Sequence, residues 1–398
     1  MLGKTNSNLK SAGGGATVTA VNKTGAAISQ GDKVWINDGS QVAGDSINID
    51  VSSNAYNGPV INPLGTVAWA NHNYYTVSPD SISLIGSTVV QQVNALIYNE
   101  DYLFSMSSSA TDRIDGSNFT FNGAMIINSN YDFGTGTGKF VKRNYETNEI
   151  LKTYVNVGGE FASSNITAGN YYVAFDNAIY RLSSNAKYVY TINEEASTYS
   201  RLTYTHDNAY TGTNYDTYPI GVTADQKYAI CAVAKYNSGS EQAYLRIVEF
   251  VEYRHLKTLL AEEMPTDLQP YFSTKKGTIT FNPKTGVLAI VTSPTDYIVM
   301  QYKNGVWNKL SVDLGYPTDA DNSKIPVGVT FTNDMSRCAI GYSREGSYTG
   351  KLVNLTTVTG YVAVPYKPSN ISAETVTGFA KGAASVDGSF EASVASAE

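Results

Sequence analysis

The sequence predicts an all-β protein whose larger part is a β-propeller-like domain. Three observations predict it. Short runs alternating apolar and polar residues recur along the chain, and helical periodicity is nearly absent. Tyr, Thr and Val, which suit pleated, half-buried surfaces, are abundant, with 30 Tyr among 398 residues. A pattern of strand, Asn/Asp turn and strongly apolar strand repeats at intervals of tens of residues.

Residues 1–16 are polar and end in Gly13-Gly14-Gly15, which predicts a flexible arm. Ala16–Val21 alternates as a strand, and Asn22-Lys23-Thr24-Gly25 is a turn. Ile28–Ile36 carries a Gly31-Asp32 turn and a second strand, with Val34 and Ile36 on the face opposite to Lys33 and Trp35. Asn37-Asp38-Gly39 closes it as a hairpin-type turn.

The long middle is strand-rich. Apolar runs stand at Ala124–Ile127, Tyr171–Phe175, Tyr228–Val233, Val287–Val291 and Arg337–Tyr342. The last three share a lead-in: Val222-Thr223 with Asp225, Phe281-Asn282-Pro283, and Phe331-Thr332-Asn333-Asp334. Each lead-in precedes an Ala-Ile pair, at Ala229, Ala289 and Ala339. Repeats of roughly 40–50 residues mark propeller blades, which bury their faces only by packing radially, and about 300 residues make six or seven of them. A β-sandwich with long loops is the rival architecture. The one helical candidate is His255–Met264, ended by Pro265.

Near the C-terminal end, Glu374–Lys381 reads as a strand, Ala383–Gly388 as a turn and Ser389–Ala395 as a strand. AVNKTGAAISQGDKVWIN resembles the opening of small β-barrel modules of phage head-decoration and tail-fibre proteins. VTGFAKGAASVDGSFEASVA resembles the close of the same kind of module, where Gly, an apolar residue and Ala precede a Gly-centred turn. The final turn departs from the usual Gly-Glu, with Gly388-Ser389 there and Glu391 later. The resemblance implies a small β-barrel or sandwich formed from both termini, residues 17–65 and 371–398, with the propeller-like domain, 66–370, inserted into it.

Charged residues are 16% of the chain, below the ~25% usual for soluble domains. Net charge is −7 and no Lys/Arg cluster goes beyond Lys275-Lys276, so no nucleic-acid partner is expected. No apolar run approaches the ~18 residues of a membrane span, so no membrane insertion is expected. Cys231 and Cys338 lie in apolar runs and read as buried thiols. The opening MLGKTNSNLKSAGGG lacks the apolar stretch of a secretory signal.

No catalytic constellation stands out, and no catalytic, cofactor-binding or metal-binding residue is assigned. His72, His206 and His255 are not at metal-ligand spacing. His206-Asp207 reads as a loop contact. Glu194-Glu195 and Glu262-Glu263 are adjacent carboxylates that point apart, unlike a glycosidase pair. Asp313, Asp319, Asp321 and Asn322 make an oxygen-rich loop without the central Gly or closing Glu of a calcium loop. Gly134–Lys139 is followed by Phe140 rather than Ser or Thr, so it reads as a hairpin loop, not a phosphate cradle. The candidate surface-binding residues are Tyr74, Tyr75, Tyr204, Tyr210, Tyr215 and Tyr218, in Tyr/Asn-rich stretches suited to sugar or protein contact.

The expectation is therefore a structural protein of a bacteriophage particle, not an enzyme. It would be assembled in the host cytoplasm, attached by its terminal module to other virion proteins. As a homo-oligomer it would project its propeller toward a host-surface glycan or protein. The alternatives are a carbohydrate-active propeller enzyme and a cell-surface lectin or adhesin.

Overall fold

A computed structural model describes residues 17–22, 24, 26–38, 41–49, 59–70, 73–87, 112–118, 125–132, 137–144, 150–156, 172–175, 178–182, 188–208, 215–235, 244–272, 274–321, 328–357, 361–364, 376–386 and 388–394. The fold class is all-β, and among these residues the only helical turns are two short 3₁₀ segments. In chain order the strands begin with β1 (Thr17–Asn22), β2 (Lys33–Asp38) and β3 (Gln41–Ile49). Next come β4 (Val60–Ile61), β5 (Val67–Ala70), β6 (Asn73–Val77) and β7 (Ile82–Ser87). They are followed by β8 (Asp112–Asn118), β9 (Met125–Asp132), β10 (Thr137–Asn144) and β11 (Ile150–Asn156). Then come β12 (Tyr172–Phe175), β13 (Ala178–Arg181), β14 (Tyr188–Asn193) and β15 (Thr198–Thr203). After these lie β16 (Thr205–Asp207), β17 (Tyr215–Val222), β18 (Tyr228–Lys235), β19 (Tyr244–Glu252) and β20 (His255–Thr258). Beyond the 3₁₀ turns are β21 (Thr278–Asn282), β22 (Val287–Ser293), β23 (Asp296–Lys303) and β24 (Val306–Lys309). The chain finishes with β25 (Gly328–Phe331), β26 (Arg337–Arg344), β27 (Ser347–Thr357), β28 (Tyr361–Val364), β29 (Val376–Ala380) and β30 (Ser389–Val394).

Five strands close a small barrel in the order β1-β28-β2-β29-β30. Alternation along β1 and β2 sends Val18, Ala20, Val34 and Ile36 inward, where they meet Ile28, Ala363, Ala380, Ala384, Phe390 and Ala392. The bore is narrow, so small residues recur. A Cβ at Gly378 would stand 2.4 Å from Ile36 Cδ1. Gly378 and Ala380 therefore face inward, and Phe379 between them is exposed.

The remaining strands form antiparallel blades. Blade one is β4–β7, blade two β8–β11, blade three β12–β15, blade four β17–β20 with β16 at its outer edge, and blade five β21–β24. Blades two and three join into one eight-stranded sheet through a parallel β11–β15 pairing. Blade six takes β25, β26 and β27 from late in the chain and its outermost strand, β3, from early in it. That pairing of sequence-distant strands closes the ring.

The apolar runs are second strands of blades, buried on both faces by the neighbouring blades. In β18, Ala229 and Cys231 face blade three while Ile230 faces blade five. In β22, Leu288 and Ile290 face blade four while Ala289 and Val291 face blade six. In β26, Cys338 and Ile340 face blade five while Ala339 faces blade one. Both thiols are buried and free, and burial pushes Cys231 up to about 12 and Cys338 higher still.

Two expectations need correction. Within residues 39–65 the described strands do not belong to the barrel: β3 closes blade six and β4 starts blade one, while β28, ahead of residue 371, does join it. The helix expected over His255–Met264 is strand β20 and a 3₁₀ turn (Ala261–Glu263). Its apolar spacing arises because Leu256 is claimed by one blade seam, and Leu259 and Met264 by the next. As expected, the second strand follows the Gly31-Asp32 turn and begins at Lys33, while Ile28 makes an isolated bridge to Ala384.

The barrel occupies a defined place. In each blade the turns between first and second strands and between third and fourth strands lie at one end. In blade six the connection from third strand to fourth strand is the barrel itself. Residues Thr357 and Gln41 pair at the top of the blade, and Tyr361 and Asp38 pair at the base of the barrel. The β2–β28 and β3–β27 pairings thus follow one another as a two-stranded antiparallel ribbon.

Candidate functional site

The first-to-second-strand turns share one architecture. In blade four Asp225 Oδ1 accepts from Thr223 Oγ1 at 2.7 Å and from the Lys227 N–H at 3.1 Å. In blade six Asp334 Oδ1 accepts from Thr332 Oγ1 at 2.7 Å and the Ser336 N–H at 3.0 Å. Asn282 in blade five and Asn62 in blade one accept from backbone N–H groups of their own turns in the same way. The blade-one turn is a member of the series that the sequence reading missed; Asn62-Pro63, like Asn282-Pro283, is the signal for it. The turns also join blade to blade. Tyr302 Oη donates to Asp225 Oδ2, Asn282 Nδ2 to Asn333 Oδ1, and the Asn333 N–H to the Pro63 carbonyl, each at 2.7 Å. These Asp and Asn side chains are structural.

Titratable groups converge at the outer edge of blade four. Strand β16 lies parallel to β20, setting Thr205 beside His255 and Asp207 beside Lys257. His255 Nε2 and Asp207 Oδ2 are 2.8 Å apart, and Glu252 Oε1 lies 3.8 Å from His255 Nδ1. Asp207 thus partners His255 and not its chain neighbour His206, because successive side chains on a strand point to opposite faces.

His206 belongs to a separate, more buried set. Thr258 Oγ1 accepts from Arg246 Nε at 3.2 Å and Nη2 at 2.9 Å. With both lone pairs so used, its hydroxyl proton goes to His206 Nε2 at 2.9 Å, which makes His206 a neutral ring protonated at Nδ1. Burial, and then the Arg246 charge, push His206 down to about 4. It is a fixed acceptor. His255, half-buried and oriented by Asp207, is the more accessible imidazole.

The other sequence candidates are dispersed. Tyr75 and Tyr204 are buried core residues, which corrects their assignment as surface-binding: Tyr75 lies in the seam between blades six and one, and Tyr204 packs on Tyr180 between blades three and four. Tyr74 lies on β6, and Tyr215 and Tyr218 on β17, with side chains outside the described residues, as is all of Tyr210. His72 and Asn322 also fall outside them. Glu194 accepts from Tyr154 Oη at 2.6 Å and pairs with Lys152 at 3.3 Å. Glu263 pairs with Lys257 and caps the Leu260 N–H. Asp313 is buried and accepts from the Gly315 N–H, whereas Asp319 is exposed and pairs with Arg344 at 2.7 Å. Among the described residues no three His, Cys, Asp or Glu converge as metal ligands. Of Gly134–Lys139, residues 134–136 fall outside the described residues, and Thr137–Lys139 begin β10.

No family model and no curated protein matches the sequence. Solved structures do resemble the fold. Oligogalacturonate lyase in complex with manganese is 9% identical, with 83% of this chain and 99% of that chain covered and a TM-score of 0.39. The Cps50 (Swd1) β-propeller domain of Myceliophteria thermophila is 10% identical, covering 88% and 98%, with a TM-score of 0.32. A prolyl endopeptidase is 9% identical, covering 83% of this chain and 44% of its own, with a TM-score of 0.32. The resemblance is one of fold.

It nonetheless corrects one expectation. The expectation that the chain is not an enzyme does not stand, because the similar structures include a lyase and a peptidase. Fold and composition give no ground for that exclusion.

Proposed function

We propose that the chain is a structural component of a bacteriophage particle, of head-fibre, decoration, collar or tail-fibre type. Its terminal barrel attaches to other virion proteins, and its propeller projects from that anchor as part of a symmetric homo-oligomer. The observation that supports this reading is the barrel: strands from residues 17–38 and 361–394 close on one another, and the propeller leaves through a single paired ribbon. An anchor built that way holds a large body by one defined connection. The barrel also contains the two segments that resemble phage modules. The test is co-sedimentation of the purified chain with phage particles, paired with its mass in solution. A monomer that never enters the particle fraction sinks the proposal.

A second reading, a propeller enzyme acting on polysaccharide, is favoured by the half-buried His255 held 2.8 Å from Asp207. An imidazole oriented by a carboxylate is equipped to take up a proton. Turnover of bacterial surface polysaccharides, lost in His255→Ala and in Asp207→Asn, would establish it. Turnover that survives both substitutions removes His255 from the chemistry.

A further inference from the structure

The position of the barrel divides the propeller's two faces by role. The barrel stands in for the third-to-fourth-strand turn of blade six, so it rises from the face that carries all turns of that kind. The opposite face carries the second-to-third-strand turns and the segments passing from blade to blade. Exposed large apolar side chains are distributed unequally between them, with Leu84 and Leu151 on the outer strands β7 and β11 belonging to neither face. Leu64, Val251, Tyr253 and Val306 lie at or beside turns on the barrel's side, in blades one, four and five, with Phe379 and Val386 on the barrel itself. Blades five and one flank blade six, so these residues form an arc on either side of the anchor. On the opposite face, Leu260 at the rim is the single exposed large apolar residue among those described.

That opposite face is polar and carries both signs of charge, with Lys276 and Glu345 exposed beside two ion pairs. Lys275 pairs with Asp296 at 2.9 Å and Arg344 with Asp319 at 2.7 Å. Thr274, Thr295 and Ser347 are exposed between them. A protein contact forms around an apolar, desolvated centre, and among the described residues this face has no exposed large apolar side chains inside its rim to make one. Closely spaced guanidinium, carboxylate and hydroxyl groups supply donors and acceptors together, which is what a polyol requires.

We propose that the face opposite the barrel, built from the Ser293–Asp296 and Ser343–Ser347 turns and the segments 274–277 and 313–321, is the propeller's outward contact surface, and that it takes an uncharged glycan. The choice of face rests on the attachment role proposed for the barrel; the choice of ligand rests on the chemistry of the face. The probe is a panel of immobilised polysaccharides extracted from bacterial surfaces, presented to the full chain. Binding to at least one neutral polysaccharide is expected, weakened tenfold or more by Thr295→Arg or Arg344→Glu and unchanged by Val306→Asp or Tyr253→Ser. All four positions are exposed, and unchanged thermal melts confirm that the variants fold. Binding lost in the Val306 and Tyr253 variants but kept in the other two overturns the choice of face. Binding confined to charged polysaccharides, or no binding across the panel, overturns the choice of ligand. Particle co-sedimentation of the parent chain reports on the anchor separately: its absence with glycan binding intact counts against the attachment role alone.

Discussion

Asn22 holds the two ends of the barrel together. It is fully buried at the end of β1, and its amide donates to the carbonyls of Ala26, Ala384 and Ser385 while its oxygen accepts from Thr24. Asn22→Ala leaves buried carbonyls unpaired and is expected to cost on the order of 2 kcal/mol, read as a lower urea midpoint. Two titratable residues give opposite pH signatures. Burial raises Asp313, so its favourable contribution is complete below the ordinary carboxylate range and is lost as pH rises through the raised value. Asp313→Asn keeps the acceptor for Gly315 and removes that loss, so the variant is expected to melt higher than the parent at neutral pH. His206 is lowered, so its contribution is present above about 6.5 and is lost as pH falls toward about 4. The loss is on the order of 3 kcal/mol, and His206→Gln is expected to flatten that limb of the stability profile. At this scale the sequence was legible where packing is tight: Gly378-Phe379-Ala380 stood out as a motif, and the narrow bore accounts for it. It misled where one residue type serves two environments. A Tyr ring fills a seam as readily as it covers a surface, so Tyr75 and Tyr204 carried no sign of their burial.

The blade is where the sequence spoke most clearly, because its second strand is apolar on both faces and its first turn carries a fixed Asn or Asp. Those two signals placed β18, β22 and β26 correctly. They failed for His255–Met264, where two seams divide the apolar residues of an extended segment and imitate helical spacing. Seam packing predicts a graded cost. Ile340 is fully buried between blades five and six, so Ile340→Ala is expected to cost about 2–5 kcal/mol in chemical denaturation. An exposed outer-strand position such as Val306→Ala should change stability by less than about 0.5 kcal/mol. The polar set of blade four was hidden for a different reason. Asp207 and His255 lie 48 residues apart and meet only because β16 adds in parallel to β20. No local spacing encodes such a pairing.

For the molecule as a whole, β3 decides whether the propeller is a ring. It comes early in the chain and completes the blade whose other strands come late, so a chain starting at residue 50, which also lacks β1 and β2 of the barrel, would leave β27 with an open edge. That shortened chain is expected to aggregate or to melt well below the parent in a thermal scan, even though only one propeller strand is missing. Division of the chain into an inserted and an outer part was legible from the matching end segments. The boundary was not, because β3 alternates like a barrel strand and only its partner, β27, shows where it belongs.

The paired ribbon has a mechanical consequence. If the barrel is held and the propeller is pulled away along the ribbon, both of its strands take the tension side by side. Within the barrel, β2 and β28 must then slide past β1 and β29; within blade six, β27 must slide past the eight residues of β26. Sliding loads every hydrogen bond of a ladder at once, whereas peeling breaks them in turn. The connection is therefore built to resist drag on the propeller, and single-molecule extension along this axis should show a high-force rupture that a pull on the outer strand of another blade lacks.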